Sequence, residues 1–356
     1  MDISKELQVI GTRDGFMGQK RPVYDTPATP KENYLLALKG EGLWTPISSE
    51  QVVFSPRVIP DNISRGFVLD ADPIDNATEA GGPDMFGVVW EWVPQVNGSM
   101  VRAEDPQMLG DIAKWEDVLA FPDPGEWDWE GSAAANKKYF SESLPLQVWF
   151  QNGLFERLIS LMGFGEAAIA LIDDEQKPHV HAFFDRLCSL YEDIFSRFKK
   201  HYDFDVVYFH DDWGGQYAPF FSLETVREML LPYLKRLVGH IHGLGAVFEF
   251  HSCGKIEMLV PAMIEAGADI WSGQRINDHL ALLEKHAGQI IFNVMPDITL
   301  EGHYTIEDVE RIMSEFLDAY EPWFKDIIIT NLTFVEENRN KAYELAYARS
   351  RKKLAR

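Results

Sequence analysis

A short polar segment at the end of a predicted strand is the part of the sequence best equipped for chemistry. Residues 246–254 read A-V-F-E-F-H-S-C-G, an apolar run of strand character that leads into polar side chains and a glycine. Side chains alternate across a strand, so Glu249, His251 and Cys253 share one face if the strand extends that far. A carboxylate, an imidazole and a thiol predict a metal site, and His with Cys suits zinc better than magnesium or calcium. The alternative is an inert, buried cysteine in a tight turn beside a surface histidine.

Polar residues also follow other predicted strands. These strand ends carry Gln151 and Asn152, the run His210, Asp211, Asp212 and Trp213, and, after the last strand, Thr330 and Asn331. In a barrel of parallel strands the chemistry lies where the strands end, so we expect these groups to converge on one cavity. Each cluster taken alone is also typical of a turn or a helix cap, and Asp211 and Asp212 are candidates for capping the helix that follows them.

The strands themselves are predicted from residue 144 onward, where short apolar runs alternate with amphipathic helices. The predicted strands are Leu146–Phe150, Asp205–Phe209, Val247–Phe250, Ala268–Trp271, Ile290–Val294 and Ile327–Thr330. A long helix follows Pro178, and the helix after Ser222 contains Pro232, which predicts a kink. Six strand–helix units indicate an α/β fold, a (β/α)₈ TIM barrel with two further strands before residue 144. A doubly wound open sheet is the alternative.

The N-terminal third has a different character. Residues 1–28 are predicted to form an arm that packs on the body or on another subunit, as in a homodimer. Residues 29–356 are predicted to form a single barrel domain, whose first helix begins with a capping box at Thr29, Pro30 and Glu32. The stretch 44–130 is rich in Pro, Gly, Asp and Trp, and we interpret it as an irregular elaboration beside the core.

Composition excludes several classes of protein. The 356 residues include 33 basic and 56 acidic side chains, a formal net charge of −23, so a nucleic-acid or anionic-membrane partner is not expected. No apolar run reaches the roughly 20 residues that span a bilayer, and the first residues have no apolar signal core. Two cysteines do not make a disulfide scaffold, which predicts a reducing, cytoplasmic location.

Several segments together resemble one protein superfamily. They read T-P-K-E-N-Y-L-L-A-L-K-G, D-M-F-G-V-V-W-E-W, F-E-R-L-I-S-L-M-G, H-D-D-W-G-G-Q and H-S-C-G followed by I-E-A-G-A-D. This set, spread from about residue 29 to residue 338, resembles the uroporphyrinogen decarboxylase-like superfamily. The resemblance implies a (β/α)₈ barrel and one of two activities: decarboxylation of a porphyrinogen without a cofactor, or zinc-dependent methyl transfer that involves corrinoid proteins.

The chain resembles the methyltransferase branch more closely. The decarboxylases share an N-terminal R-Q-A-G-R segment that is absent here, whereas the H-x-C of the methyltransferases is matched by His251 and Cys253. That branch commonly has a further zinc cysteine after the last strand, where this chain has Thr330 and Asn331. An oxygen ligand is expected instead, Glu249 first by strand alternation. The alternative ligands are Asp212, His210 and Asn331.

A single thiolate leaves zinc more Lewis-acidic than two would, which favours polarising the oxygen of a methyl ether or a methanol-like donor. We therefore expect O-demethylation of a small methylated substrate, with the methyl group passing to a cob(I)alamin on a separate corrinoid protein, because the chain has no D-x-H-x-x-G segment. His210 or Asp212 is the expected acid for the leaving oxygen. The expected substrate-binding residues are Trp149, Asp211, Trp213 and Asn331.

Two other activities remain open on the sequence. One is methyl transfer from methylcobalamin to a thiol of the coenzyme M type. The other is a metal-independent decarboxylase or lyase of the uroporphyrinogen decarboxylase type, which would use His210 and Asp212 on a smaller acid. A binding protein that has lost its metal is a third class.

Overall fold

The computed structural model describes residues 3–14, 20–95, 97–102, 105–298, 302–330 and 335–355. Its strands are β1 (Val9–Asp14), β2 (Lys20–Tyr24), β3 (Val52–Phe54), β4 (Gly81–Pro83), β5 (Val89–Val93), β6 (Gly98–Val101), β7 (Leu146–Phe150), β8 (Val206–His210), β9 (Val247–Ser252), β10 (Ile270–Gly273), β11 (Ile291–Val294) and β12 (Ile327–Ile329).

The α-helices of the described residues are α1 (Pro30–Ala37), α2 (Pro60–Arg65), α3 (Asn76–Glu79), α4 (Trp115–Val118), α5 (Trp129–Asn136), α6 (Leu154–Met162), α7 (Phe164–Ala170), α8 (Lys177–Tyr202), α9 (Leu223–Met229), α10 (Leu231–Gly243), α11 (Val260–Ala266), α12 (His279–His286), α13 (Ile306–Tyr320) and α14 (Glu336–Leu354). Single 3₁₀ turns lie at Ile3–Lys5, Ser48–Glu50, Ile112–Lys114, Pro124–Glu126, Glu257–Leu259 and Glu321–Trp323.

The chain divides into two compact units. The first comprises Met1–Val52, Ser141–Pro145 and Asp269–Arg356, and the second comprises Val53–Phe140 and Leu146–Ala268. The first unit contains the β1–β2 hairpin and the strands β10, β11 and β12. The second contains the strands β7, β8 and β9, on which the candidate site is built.

In the second unit, β7, β8 and β9 are parallel neighbours in register. Phe150 pairs with Phe209, and Phe209 pairs with Phe250, so three phenylalanines lie side by side on one face. They are buried among aromatic side chains of α8, whose 26 residues include Tyr191 and Phe195 in contact with the Phe150 ring. This apolar packing fixes one face of the sheet and leaves the alternate residues on the other face to form the site.

The segment before β7 is more regular than the sequence predicts. Within it, β4, β5 and β6 form a three-stranded antiparallel sheet. A buried arginine of α6 anchors this region: Arg157 donates to Asp84 Oδ2 at 2.6 Å and also bonds Asp61. Burial would lower the pKa of Arg157, but the two carboxylates raise it, so the guanidinium stays charged in the core.

In the first unit, β10, β11 and β12 are also parallel neighbours. Ile270 pairs with Ile291 and Asn293 pairs with Ile328, and the three residues of β12 are all buried. The predicted start of the first helix is confirmed: the Thr29 hydroxyl accepts from the Glu32 amide at 3.2 Å, and the Glu32 carboxylate accepts from the Thr29 amide at 2.8 Å.

The α/β class and the alternation of strands with helices are confirmed, but the described residues do not form a closed eight-stranded barrel. The six strands predicted after residue 144 are present, β7 to β9 in the second unit and β10 to β12 in the first. The single-domain assignment of residues 29–356 stays a prediction. Among the described helices, none has both the length and the apolar character needed to cross a bilayer.

The predicted kink at Pro232 is a complete break. Helix α9 ends at Met229, and α10 starts at Leu231 with Pro232 in its first turn. A proline in the first turn lacks only an amide hydrogen that would have no helical partner there, so the chain restarts a helix at this point instead of bending one.

Candidate metal centre

Four side chains from two neighbouring strand ends converge on one point. His210 is the last residue of β8 and Asp212 follows that strand. His251 lies near the end of β9 and Cys253 follows that strand, and parallel pairing sets His210 directly beside His251. Their ligand atoms all lie within 4.8 Å of one another. Two of the pairs are His251 Nε2 to Cys253 Sγ at 3.6 Å and His210 Nε2 to Asp212 Oδ1 at 3.7 Å.

These separations fit a metal ion with nitrogen, sulfur and oxygen ligands. Zinc bonds of about 2.0–2.3 Å in a tetrahedron place the ligand atoms roughly 3.3–3.7 Å apart, which is the spacing of both pairs. All four side chains are partly buried, so each is held in place yet remains accessible to solvent. Within the described chain this group brings together two imidazoles, one thiol and one carboxylate, a donor set typical of zinc and of other divalent transition metals.

The loop that carries Cys253 is pinned to the loop after β8. The Cys253 amide donates to Asp212 Oδ1 at 2.6 Å, and the Trp213 amide donates to the Ser252 hydroxyl at 2.9 Å. Gly254 follows with φ +94°, and a Cβ at this position would lie 2.3 Å from the backbone of Gly214. Glycine is required here both by the left-handed backbone and by the close approach of the two loops.

A column of stacked rings supports both histidines. The ring of Trp149 stacks on that of Tyr208, Tyr208 stacks on His251, and His251 stacks on His210. The ring centroids are 4.8, 5.2 and 4.8 Å apart in that order, and the ring planes are within 27° of parallel at each step. The Trp149 indole donates to Gln147 Oε1 at 2.8 Å, which fixes the far end of the column. The column restricts rotation of both imidazoles, so their Nε2 atoms are oriented before any ion binds.

Glu156 holds the other nitrogen of His210. The His210 Nδ1–H donates to Glu156 Oε2 at 2.6 Å, and Arg65 bonds Glu156 Oε1 at 3.3 Å. Burial would raise the pKa of Glu156, but the charges of His210 and Arg65 lower it to about 2, so it is a carboxylate at neutral pH. A carboxylate on Nδ1 leaves Nε2 as the metal-binding nitrogen, the usual outer-shell arrangement of a histidine ligand.

We expect Glu156→Gln to weaken zinc binding by roughly 10- to 100-fold, because the neutral amide holds the His210 ring less firmly. Titration of the apoprotein with zinc against a competing chelator measures the change. Glu192→Gln is the matched control: it removes the same charge from a carboxylate that bonds Arg236 at 2.6 Å in the same unit. Equal zinc affinity in the Glu156 variant and the wild type would contradict this role.

Protons are expected to leave the site when zinc binds. Burial raises the pKa of the Cys253 thiol above its ordinary value. Burial would lower the pKa of His210, but Glu156 and Asp212 raise it well above its ordinary value. Both groups are therefore protonated at pH 7 without metal, so zinc should displace about two protons and bind more tightly as pH rises.

Calorimetric titrations of the apoprotein in buffers with different ionisation enthalpies count the released protons. No proton release at pH 7 would show that Cys253 and His210 are not both ligands.

A cavity of about 790 Å³ adjoins the metal group. Its polar lining includes Asp212, Glu156 and Arg65, and its apolar walls include Trp90 and Phe164. This volume lies within the range of small-molecule sites, roughly 300–1,000 Å³. Asp212 thus belongs to the metal group and also faces the space where a small substrate would lie.

The other predicted site residues are placed as follows. Glu249 lies outside the group of four, and its carboxylate accepts a hydrogen bond from Gln147 Nε2 at 2.6 Å. The carboxylate in the group of four is that of Asp212, which the sequence offered only as an alternative to Glu249. Trp149 belongs to the ring column, and Asn331 lies outside the described residues. Contact of Trp149 or Asn331 with a substrate stays a prediction.

Asp211 and Trp213, predicted to bind substrate, are fully buried. Asp211 accepts hydrogen bonds from the amides of Phe155 at 3.2 Å and Glu156 at 2.9 Å, and from the Trp213 indole at 2.9 Å. Burial, followed by the charge of Glu156, raises the pKa of Asp211 to about 7. Asp211 therefore caps α6, the helix after the neighbouring strand β7. Trp213 packs against Phe250, with the two ring centroids 4.6 Å apart.

Sequence reasoning missed Glu156, Arg65, Tyr208 and Gln147. The signal for Glu156 was present, because Glu156 and Arg157 are adjacent charges in the otherwise apolar run L-F-E-R-L-I-S-L-M of α6. Charges buried on such a helix need partners. Glu156 is bonded to His210, and Arg157 is bonded to Asp61 and Asp84. Tyr208 gave no comparable signal, since a tyrosine within a strand is ordinary.

No protein-family model matches the chain, and no curated protein matches it. Among solved structures, a methyltransferase from Methanosarcina mazei is similar at a TM-score of 0.61, with 13% identity, covering 90% of this chain and 98% of that one. At this identity the likeness shows the fold alone. An intracellular xylanase from Thermoanaerobacterium saccharolyticum is similar at a TM-score of 0.33, with 12% identity over 60% of this chain and 71% of that one, which supports no conclusion.

Proposed function

We propose that this chain is a metal-dependent enzyme that transfers a methyl group from a small methoxylated or methylated donor to the corrinoid of a partner protein. The observation that carries the proposal is the convergence of His210, Asp212, His251 and Cys253, with one thiol among them, beside a cavity of small-molecule size. Similarity in fold to a methyltransferase from Methanosarcina mazei, at a TM-score of 0.61, supports methyl transfer as the type of reaction.

His210, His251 and Cys253 are the three residues that we assign to the metal. The ring column orients both histidines, and Glu156 holds His210 in the tautomer that presents Nε2. A divalent ion bound by two imidazoles and one thiolate supplies Lewis acidity, which stabilises negative charge on an oxygen leaving group. A single thiolate favours an oxygen-linked methyl donor over a thiol substrate, because less of the ion's charge is neutralised by its ligands.

Asp212 is the residue that we assign to proton transfer. Its side chain is 28% exposed and lines the cavity, whereas that of His210 is 14% exposed and is bonded to Glu156. Burial, then the charge of Glu156, raises the pKa of Asp212, which favours a carboxyl group that can give a proton to the leaving oxygen. In the overall reaction the methyl C–O bond breaks, its electron pair stays on oxygen, and the methyl group bonds to the reduced cobalt of the partner.

The apolar walls of the cavity favour a donor with an apolar or aromatic body. Trp90 and the pair Phe164 and Phe220, whose ring centroids are 4.8 Å apart, form part of this lining. Trp90 also lies under the Arg65 guanidinium at 5.0 Å, so its face is held in position. We expect methoxylated aromatic compounds to be better donors than methanol or methylamines, because they bury more surface here.

The test mixes the zinc-loaded protein with a reduced corrinoid protein and a panel of methoxylated aromatics, methanol and methylamines. The absorbance change from cob(I)alamin to methylcob(III)alamin reports methyl transfer. Methylation by a panel member, absent when the metal is removed and restored by zinc, supports the proposal. No methylation from any donor, with transfer from methylcobalamin to a thiol such as coenzyme M instead, would contradict it and establish the thiol-methylating activity.

A further inference from the structure

Arg65 is a charged side chain in the wall of the cavity beside the metal group, and its surroundings hold it in one position. It is the last residue of α2, and its guanidinium lies over the Trp90 ring, 5.0 Å from the ring centroid. The next residue, Gly66, ends the helix with φ +74°, and a Cβ there would lie 2.6 Å from the Trp92 ring. Helix α2 therefore packs closely on β5, the strand that carries both tryptophans.

The protein uses only part of the hydrogen-bonding capacity of Arg65. A guanidinium group has five N–H donors. The Nη1 group of Arg65 donates to Asn152 Oδ1 and to Glu156 Oε1, and Nη2 donates to the same Glu156 oxygen at 3.3 Å. Within the described chain, neither the Nε hydrogen nor the second Nη2 hydrogen donates to a protein acceptor. The side chain is 12% exposed and lines the cavity, so a ligand there can accept from these two donors.

The two remaining donors of Arg65 lie side by side. Nη1 and Nη2 can share one oxygen of Glu156 only through the two hydrogens at the end of the guanidinium group. The Nε hydrogen and the other Nη2 hydrogen then point in the same direction along one edge, a fork that fits one acceptor oxygen. Because Trp90 covers a face of the group, an edge is the part left for a ligand.

The charges in the cavity lining favour an uncharged acceptor. Glu156 is ionised at neutral pH and bonds the guanidinium, so it already offsets the charge of Arg65. The other guanidinium of the lining, that of Arg102, has Asp105 at 3.9 Å. Asp212 adds a third carboxyl group to the lining. A carboxylate on the donor would therefore meet more acidic than basic groups, whereas an ether or hydroxyl oxygen avoids this repulsion.

A wholly apolar donor would leave the fork without a partner. The cavity walls near Arg65 include Trp90, Phe164 and Phe220, so a donor that fills this space displaces the water that solvates the fork. An unpaired N–H of a charged group lowers the affinity for such a donor. A site with polar groups rejects an analogue that lacks their partner more strongly than it rejects a small change in apolar shape.

We propose that Arg65 determines donor specificity by donating from Nε and Nη2 to an uncharged oxygen on the body of the methyl donor. This oxygen is a second substituent, distinct from the methoxy group that loses its methyl. The donor class is thus a methoxyarene with a further ether or hydroxyl oxygen. This inference rests on the proposed function, because it concerns the substrate of the same metal centre.

Direct binding tests the inference without a corrinoid protein. The zinc-loaded full chain is titrated by calorimetry with the three isomers of dimethoxybenzene and, as matched compounds of similar size, the three isomers of ethylmethoxybenzene. At least one dimethoxybenzene should bind about tenfold or more tightly than its ethyl counterpart, because only its second oxygen can accept from the fork. The three methoxybenzoates should bind more weakly than that dimethoxybenzene.

The Arg65→Met variant removes the fork and keeps an unbranched side chain. It should reduce the preference for the oxygenated compound to less than about twofold. If Arg65 served only to hold Glu156, the variant would weaken binding of both compounds equally, so the ratio of the two affinities is the measurement that matters. Arg197→Met, which removes an ion pair with Asp193 at 3.0 Å on α8, is the matched control and should leave this ratio unchanged.

The wild-type ratio decides the question even if Arg65→Met does not fold. Equal binding of both members of every pair would overturn the proposal, and so would tighter binding of a methoxybenzoate than of any dimethoxybenzene. A preference that persists in folded, zinc-loaded Arg65→Met protein would overturn it as well. Failure of the proposed function has a different signature: the oxygenated compound is preferred in binding, but no methyl group reaches cob(I)alamin.

Discussion

The Cys253→Ala variant is expected to lose its zinc and its activity while keeping its fold. Cys253 supplies the only thiol of the metal group, with Sγ 3.6 Å from His251 Nε2. Its backbone amide still donates to Asp212 in the variant, so the loop geometry does not depend on the thiol. Elemental analysis should show about one zinc per wild-type chain and almost none in the variant.

Cys188→Ala provides the matched control. Cys188 is the only other cysteine of the chain, it is fully buried in α8, and burial raises its thiol pKa. Its removal should cost about 1 kcal/mol of stability as a small cavity and leave zinc content and turnover intact. Full zinc retention and activity in Cys253→Ala would rule out the proposed centre.

Asp212→Asn is expected to lower turnover by roughly 100-fold or more while zinc stays bound. The asparagine side chain is isosteric and can accept the Cys253 amide hydrogen bond, but it cannot give a proton to a leaving oxygen. Turnover and zinc content are therefore measured on the same preparation. Loss of zinc together with turnover would make Asp212 a ligand, and normal turnover with a lowered melting temperature would make it a purely structural residue.

The neighbouring aspartate gives the contrasting variant. Asp211→Asn alters a buried carboxylate that accepts two amide hydrogen bonds from α6 and one from Trp213. We expect this variant to lose about 1–3 kcal/mol of unfolding free energy with little change in turnover per folded, zinc-loaded molecule. Thermal unfolding and kinetics together separate the two adjacent residues.

Much of the fold was predictable because the buried strands carry a strong signal. Residues 146–150 are predicted as a strand and form β7 with the same bounds, since an apolar run bounded by turn residues has few other stable conformations. The break before Pro232 was less predictable. A proline in a helical pattern is compatible with a kink or with a new helix start, and packing around α9 and α10 selects between them.

The metal group was only half predictable. Alternation along one strand places His251 and Cys253 on the same face, and both are in the group. The same argument selects Glu249 as a third ligand, whereas the carboxylate that lies with these residues is that of Asp212. Which carboxylate joins the group depends on the pairing of β8 with β9, which places His210 beside His251. The sequence of either strand alone does not specify this register.

The burial of Asp211 and Trp213 was unpredictable for a related reason. Local sequence suggests a cap for the following helix, but Asp211 caps α6, which lies more than 40 residues earlier in the chain. A carboxylate can satisfy any amide that the fold brings near it, so the identity of its partners is decided by tertiary structure.

The close contact between Gly214 and Gly254 has a consequence for recognising relatives of this protein at very low identity. Two aligned strand ends read H-x-D-x-G and H-x-C-G, and the second glycine has no room for a Cβ beside the first. The residues of the cavity walls and those between the two strands can therefore vary in evolution far more freely than these two short sequence motifs. A homologue in which the two loops approach as closely should keep glycine at both positions, whether or not it keeps the histidines and the cysteine. Among distant sequences, conservation of the glycines alone would thus mark the shared loop contact, and conservation of the full patterns would mark the proposed metal centre.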